Sequence, residues 1–216
     1  VNNDKMLGKF SQFFTHNVYI YCDDNPVNML DRHGIDAIWI QESNSAAGFG
    51  HSGMMVQDSN DDWYYFFWGP VAESFSKEVI SGTELKCVVE KVYTNGNDLS
   101  NTETVIDVLM NMGADAPTAS ERANKITDTY YFEGDYTNSY KMICNYQTQN
   151  DSYRLFSNNC VQKTLRAFEA SDERFIWVTY GKTNNLIPNH ASAKVSLMPR
   201  KKCSFPWKLW LFNLLE

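Results

Sequence analysis

An α+β fold is expected for this chain, with an antiparallel sheet packed against helices, one of which begins at a cysteine. Two short apolar runs separated by a polar turn predict a hairpin between Ser52 and Trp68. Glu84 to Tyr93 alternates in the manner of a strand, and two later segments repeat their apolar residues at helical intervals. The aromatic share points the same way: 12 Tyr, 13 Phe and 6 Trp make 14% of 216 residues. Such side chains suit a pleated, half-buried surface.

Asn17 to Tyr21 alternates like a strand until Asp23 to Pro26 breaks it with turn chemistry. Ser43 to Gly50 is a flexible connection. Ser52 to Gln57 and the wholly aromatic Trp63 to Trp68 then form the hairpin around the turn Asp58 to Asp62. In the next strand Leu85, Cys87 and Val89 share one face while Lys86 and Glu90 share the other, so Cys87 reads as a core residue. Ser100 and Glu103 have capping-box spacing before Val105, Ile106, Leu109 and Met110, which predicts an amphipathic helix up to Gly113. In Leu155 to Phe168, LFSNNCVQKTLRAF, the residues Val161, Leu165 and Phe168 form one stripe, with Asn158 or Asn159 as N-cap.

The length suits one domain plus an appendage. A net charge of −7 argues against nucleic acid as a partner, because phosphate binding needs clustered Lys and Arg. The one dense basic cluster is Arg200, Lys201 and Lys202. Cysteines 22, 87, 144, 160 and 203 show no CxxC or regular spacing, so neither a zinc site nor a disulfide framework is expected, and no cofactor is called for. No charged and apolar leader opens the sequence, so no signal peptide is expected, and no apolar run reaches the roughly 18 residues of a membrane span. The sequence reads as a piece of something larger.

Cys160 falls in the first turn of its helix. There converging N–H groups and the positive end of the dipole favour a thiolate, lowering its pKa from about 8.5 towards neutrality, and the same N–H groups can hold an oxyanion. The partner base is a histidine. His16 and His33 lie early in the chain and His190 in an irregular stretch, whereas His51 opens an apolar strand between Gly50 and Gly53, which allow close approach. Cys160 and His51 are therefore the candidate catalytic pair.

Two resemblances extend this reading. Gly50 to Val56, GHSGMMV, resembles the histidine strand of NlpC/P60-like enzymes, and Asn158-Asn159-Cys160 with its helix resembles the cysteine helix of the lecithin retinol acyltransferase-like branch. That branch has the permuted order seen here, histidine strand first and cysteine helix last, and the likeness spans roughly Gly48 to Pro188. It implies a permuted papain-like fold and acyl transfer through a thioester. The branch usually carries a polar third residue on the following strand. Phe67 occupies that position, so the implied mechanism is a Cys–His dyad, or one in which a backbone carbonyl, Asp58 or Glu73 takes the role.

Tyr19 to Gly34, YIYCDDNPVNMLDRHG, resembles the end of an RHS-repeat core, with Arg32 in place of the usual proline of DPxG. That resemblance implies an RHS shell before a variable toxin domain, delivered into another cell and countered by a cognate immunity protein. The expected organisation is 1–35 RHS core end, 36–199 hydrolase domain and 200–216 basic and apolar tail. The reaction expected is hydrolysis of a protein, peptide or cell-wall amide. Glutamine deamidation, lipid acyl transfer and an inactive binding module are the alternatives. The apolar run Phe205 to Leu215 is too short to span a bilayer, and either packs on the domain or touches a membrane surface.

Overall fold

The computed structural model describes residues 35–70, 84–149, 151–179 and 187–200. The chain divides into two compact units, Val1–Gly34 and Ile35–Glu216. The first, with the RHS-like segment, lies outside the described residues, as do Cys22, Glu73, Cys203 and the tail from Lys201.

The second unit is α+β. Its strands are β1 (Ala37–Glu42), β2 (His51–Gln57), β3 (Trp63–Pro70), β4 (Leu85–Val92) and β5 (Asp128–Phe132). They form one sheet in the order β4-β3-β2-β1-β5, with every neighbouring pair antiparallel. The predicted hairpin is present, one residue longer at its start and two at its end. Asp58 fixes its turn by accepting from the amides of Asn60 at 2.8 Å and Asp62 at 3.1 Å. That role ends its candidacy as a partner of His51, since Asp58 follows the last residue of β2 and His51 is the first.

Helices cover both faces. On one face Trp39, Met54, Val56, Phe66 and Trp68 pack with α3 (Thr137–Gln147) and α4 (Cys160–Glu169), through Ile143, Val161, Leu165 and Phe168. On the other, Ile38, Ile40, Met55, Tyr65 and Phe67 pack with α1 (Thr102–Met110) and α2 (Pro117–Ala123). A sheet sandwiched in this way accounts in part for β1 going unassigned from sequence. Its six residues, AIWIQE, are all buried, so the polar-out half of the alternation is missing. The same sandwich gives the polar face of β4 a task, because Glu90 accepts from the Thr118 and Ala119 amides and so caps the start of α2.

One helix differs from expectation in its cap and its end. The first helix is capped by Asn101, which accepts from the Thr104 amide at 2.8 Å, rather than by Ser100. It ends at Met110, which is 45% exposed, and Val108 takes its place in the apolar stripe. In α4 the cap is Asn159, one of the two expected residues, and the capping box with Gln162 is complete. Downstream, α5 (Ile176–Thr179) and α6 (Pro188–Ser196) close the cysteine-helix face. Arg200, expected in a separate tail, lies with its guanidinium 4.8 Å from the Tyr130 ring centroid, against β5.

Candidate functional site

The site forms where β2 and β3 part. Their pairing runs from Gln57↔Trp63 to Met54↔Phe66, while β2 keeps its register with β1 as far as Glu42↔His51. Gln41 turns its carbonyl towards β5, where it accepts from the Thr127 amide at 2.8 Å. Its partner Ser52 therefore sits in a non-hydrogen-bonded pair, and its own N–H and C=O point away from β1, into the gap. Backbone groups in a buried gap must be satisfied.

The first turn of α4 satisfies them. The Thr164 hydroxyl donates to the Ser52 carbonyl at 3.3 Å, and the Ser52 amide is near enough to the Cys160 sulfur to favour its thiolate. Residues 160 and 164, one helical turn apart, thus plug the opening. The Val161 amide and the Tyr153 hydroxyl act in the same direction on the sulfur. The cysteine is held where sequence analysis placed it, at N1 of a capped helix, and directly against the residue that follows His51.

Alternation sends the His51 ring to the opposite face from Ser52, Met54 and Val56. There it stacks on Phe67, with centroids 4.9 Å apart and planes 25° apart. Phe67 does occupy the ground beside the histidine, as an apolar ring with no acceptor. The Nε2 atom of His51 is buried and lacks a hydrogen-bond partner. Directly across the ladder is Glu42, which the sequence reading did not single out. Its carboxylate is fully buried and accepts from Arg122 Nε at 2.8 Å, from a second Arg122 nitrogen, and from the Ser45 hydroxyl at 2.6 Å. The Arg122 guanidinium also lies 4.5 Å from the Phe67 ring centroid. A charged residue closing an apolar strand was the available signal for Glu42.

The loops bearing the pair are fixed by side chains. Gly50 has φ +87°, and a Cβ there would come within 2.2 Å of the Asn189 amide oxygen. Asn189, from the start of α6, accepts from Gln41 at 2.7 Å and donates to the Gly48 carbonyl at 2.9 Å, clamping the loop before His51. Asn159 donates to the Leu155 carbonyl at 2.7 Å and fixes the loop before Cys160.

Burial dominates the protonation states. Cys160 is 1% and His51 5% exposed. Burial pushes the thiol up to about 11, even with the donors of Ser52, Val161 and Tyr153 opposing it. This corrects the expectation of a thiol near neutrality, because desolvation outweighs the helix N-terminus. Burial likewise pulls His51 down to about 3, against the attraction of Glu42. At pH 7 the thiol and the imidazole are both neutral.

Among the described residues no group of three His, Cys, Asp or Glu is placed to hold a metal. A polar cavity of about 550 Å³, lined by residues including Tyr93, Asn97, Asp107 and Asn111, opens beyond the other end of β4 and borders neither Cys160 nor His51. The chain matches no family model, no curated protein and no solved structure in the comparisons made.

Proposed function

We propose that this chain carries a Cys–His hydrolase of the permuted papain-like type, an RHS-associated toxin or effector domain that cleaves amide bonds in a protein, peptide or cell-wall substrate. The observation that carries the reading is the seat of Cys160. Its sulfur lies at a capped helix start, in the mouth of the histidine strand, faced by two backbone amides and a phenol. The histidine-first, cysteine-last order supports the permuted family reading.

In the reaction, His51 takes the proton of the Cys160 thiol and the thiolate adds to the amide carbonyl. The donors around the sulfur are the groups nearest the negative charge as it passes to the carbonyl oxygen. The C–N bond then breaks, the leaving amine takes the proton from His51, and a thioester remains. Water, deprotonated by His51, hydrolyses the thioester and returns the free thiol. Because both groups are buried, substrate reaches the sulfur only when the loops before His51 and Cys160 part. Deamidation and lipid acyl transfer use the same steps with a different leaving group or acceptor.

Expression of the full chain in bacteria, once in the cytoplasm and once directed to the periplasm, tests the proposal. Growth arrest in one compartment, abolished by Cys160→Ala, is the expected outcome and assigns the target to cytosol or cell wall. Burial of both groups favours one rival, an inactive binding module. Growth arrest unchanged by Cys160→Ala, or a wild-type Cys160 that alkylates no faster than an ordinary thiol once a loop is loosened, would decide for that rival.

A further inference from the structure

We propose that Glu42, on the strand beside the histidine strand, is the positioning residue that stabilises the His51 imidazolium, and that Arg122 sets how much of the carboxylate's charge the ring feels. The inference rests on the Cys–His reading and supplies the acid which that reading lacked. Where the resemblance places a polar side chain there is Phe67, whose ring packs on His51 but carries no charge. The register brings a carboxylate from the other side instead, Glu42 opposite His51. Residues opposite each other in a ladder share a face, about 4.5–5.5 Å apart at Cβ.

Three features suit Glu42 to the task. It is fully buried next to a ring that is 5% exposed, so little water screens the pair. Its oxygens are pinned by Arg122 and Ser45, so the charge cannot swing away. Burial on its own would raise its pKa, yet the nearby charges of His51 and Arg122, with the Arg122 and Ser45 bonds, hold it below the ordinary carboxylate value, so it remains an anion. The charged and titratable neighbours come from several elements. Glu42 is on β1, Tyr65 on β3, Arg122 on α2 with Lys125 just after it, Cys160 on α4 and Tyr153 on the preceding loop. Of these, Glu42 favours a charged ring, whereas Arg122 and Lys125 disfavour it.

When the proton leaves Cys160, an S–H bond breaks and an N–H bond forms, and the ring becomes a cation on the same face as the carboxylate. Burial keeps that cation scarce in the closed state, and the charge of Arg122 adds to the effect. An event that loosens Arg122 therefore raises the basicity of His51.

The test is an NMR titration of the His51 Cε1 proton in the full chain with Cys160→Ala, which removes the coupled thiol, the signal being assigned by its loss in His51→Gln. Arg122→Gln is expected to raise the His51 pKa by at least one unit, a tenfold change in proton affinity. Adding Glu42→Gln is expected to cancel that rise. Arg122→Lys, which keeps a cation but not the two-point bond, is the second variant should the first fail to melt cooperatively, with a smaller rise of the same sign. A pair that merely holds the fold together would not make the rise depend on Glu42. No rise in a folded Arg122 variant, or a rise that persists in the double variant, overturns the proposal. Growth arrest insensitive to Cys160→Ala would instead overturn the hydrolase reading, and the two failures are distinct.

Discussion

At the scale of single residues, the site is governed by competition between burial and hydrogen bonding. Tyr153 is the most direct probe, because among the described residues its hydroxyl is the side-chain group that favours the Cys160 thiolate. Tyr153→Phe keeps the ring and removes the donor. The pH midpoint of Cys160 alkylation, followed on its peptide by mass spectrometry, should move upward, since a lost donor disfavours the thiolate. An unchanged midpoint would remove Tyr153 from the site. The two buried groups also predict how stability depends on pH. His51 has a folded pKa of about 3 against an ordinary 6.5, so the unfolded chain binds its proton first as pH falls. The neutral ring's contribution is complete above pH 6.5 and is lost from there towards pH 3, with a slope of about 1.4 kcal/mol per pH unit at most. Cys160, raised to about 11 from 9.0, acts in reverse: its contribution is complete below pH 9 and is lost as pH rises to 11. Urea midpoints should therefore form a plateau between about pH 6.5 and 9. His51→Asn should flatten the acid side and Cys160→Ala the alkaline side.

At the scale of elements, α4 and β2 depend on each other. The helix supplies the bonds that β3 withdraws from Ser52, and the strand supplies the floor against which the helix start is held. Thr164→Val tests this with little change of shape. Loss of the hydroxyl leaves the Ser52 carbonyl unsatisfied in the core and should cost about 1–3 kcal/mol by urea unfolding. Asn159→Ala removes the capping box and the bond to the Leu155 carbonyl, and should cost about 1–2 kcal/mol. Both should also make Cys160 easier to alkylate in the native protein, since each loosens the turn that buries it. Stabilities lowered without any gain in alkylation would mean that the sulfur is enclosed by other elements. Gly50 is constrained from outside its own strand. Gly50→Ala would meet both a left-handed φ and the Asn189 side chain, so the loop before His51 could keep its course only by displacing the start of α6.

At the scale of the whole molecule, the unit is a sheet with a core on each face, and its two chemical groups come from opposite sides. The sulfur enters from the α3 and α4 side, and the imidazole with its Glu42–Arg122 neighbours lies on the α1 and α2 side. The sheet opens between β2 and β3 at the residue that follows His51, which is where the first turn of α4 enters. Protection should follow this plan. β1 is buried along its whole length and paired on both edges, so its amides should exchange slowest. In β4, half-buried at seven of eight positions and an edge of the sheet, exchange should be fastest among the strands. Hydrogen exchange read by mass spectrometry checks the order, and a β4 as protected as β1 would show that something covers that edge.

How much of this was legible beforehand follows from the range of the interactions. The hairpin, β4 and α4 were readable because a polar turn between apolar runs, alternation, helical spacing and capping are all local, and for the same reason His51 and Cys160 stood out by their own neighbours in sequence. Glu42 was not readable, since its meaning comes from a ladder partner nine residues on and an arginine 80 residues away. Nor was β1, which shows no alternation and, unlike the equally buried β2 and β3, has no short polar turn joining it to a second apolar run. The thiol pKa was misjudged for a related reason: a helix start can be recognised in sequence, whereas the packing that dries it cannot. By itself the sequence determined the hairpin, β4, α1 and α4, and which side chains could do chemistry, while β5, α2, α3 and α6 were not assigned from it. Tertiary structure alone decided that β3 peels away at Ser52, that α4 fills the gap, and that a buried carboxylate faces the histidine, because each of these depends on which distant segments share the same desolvated space.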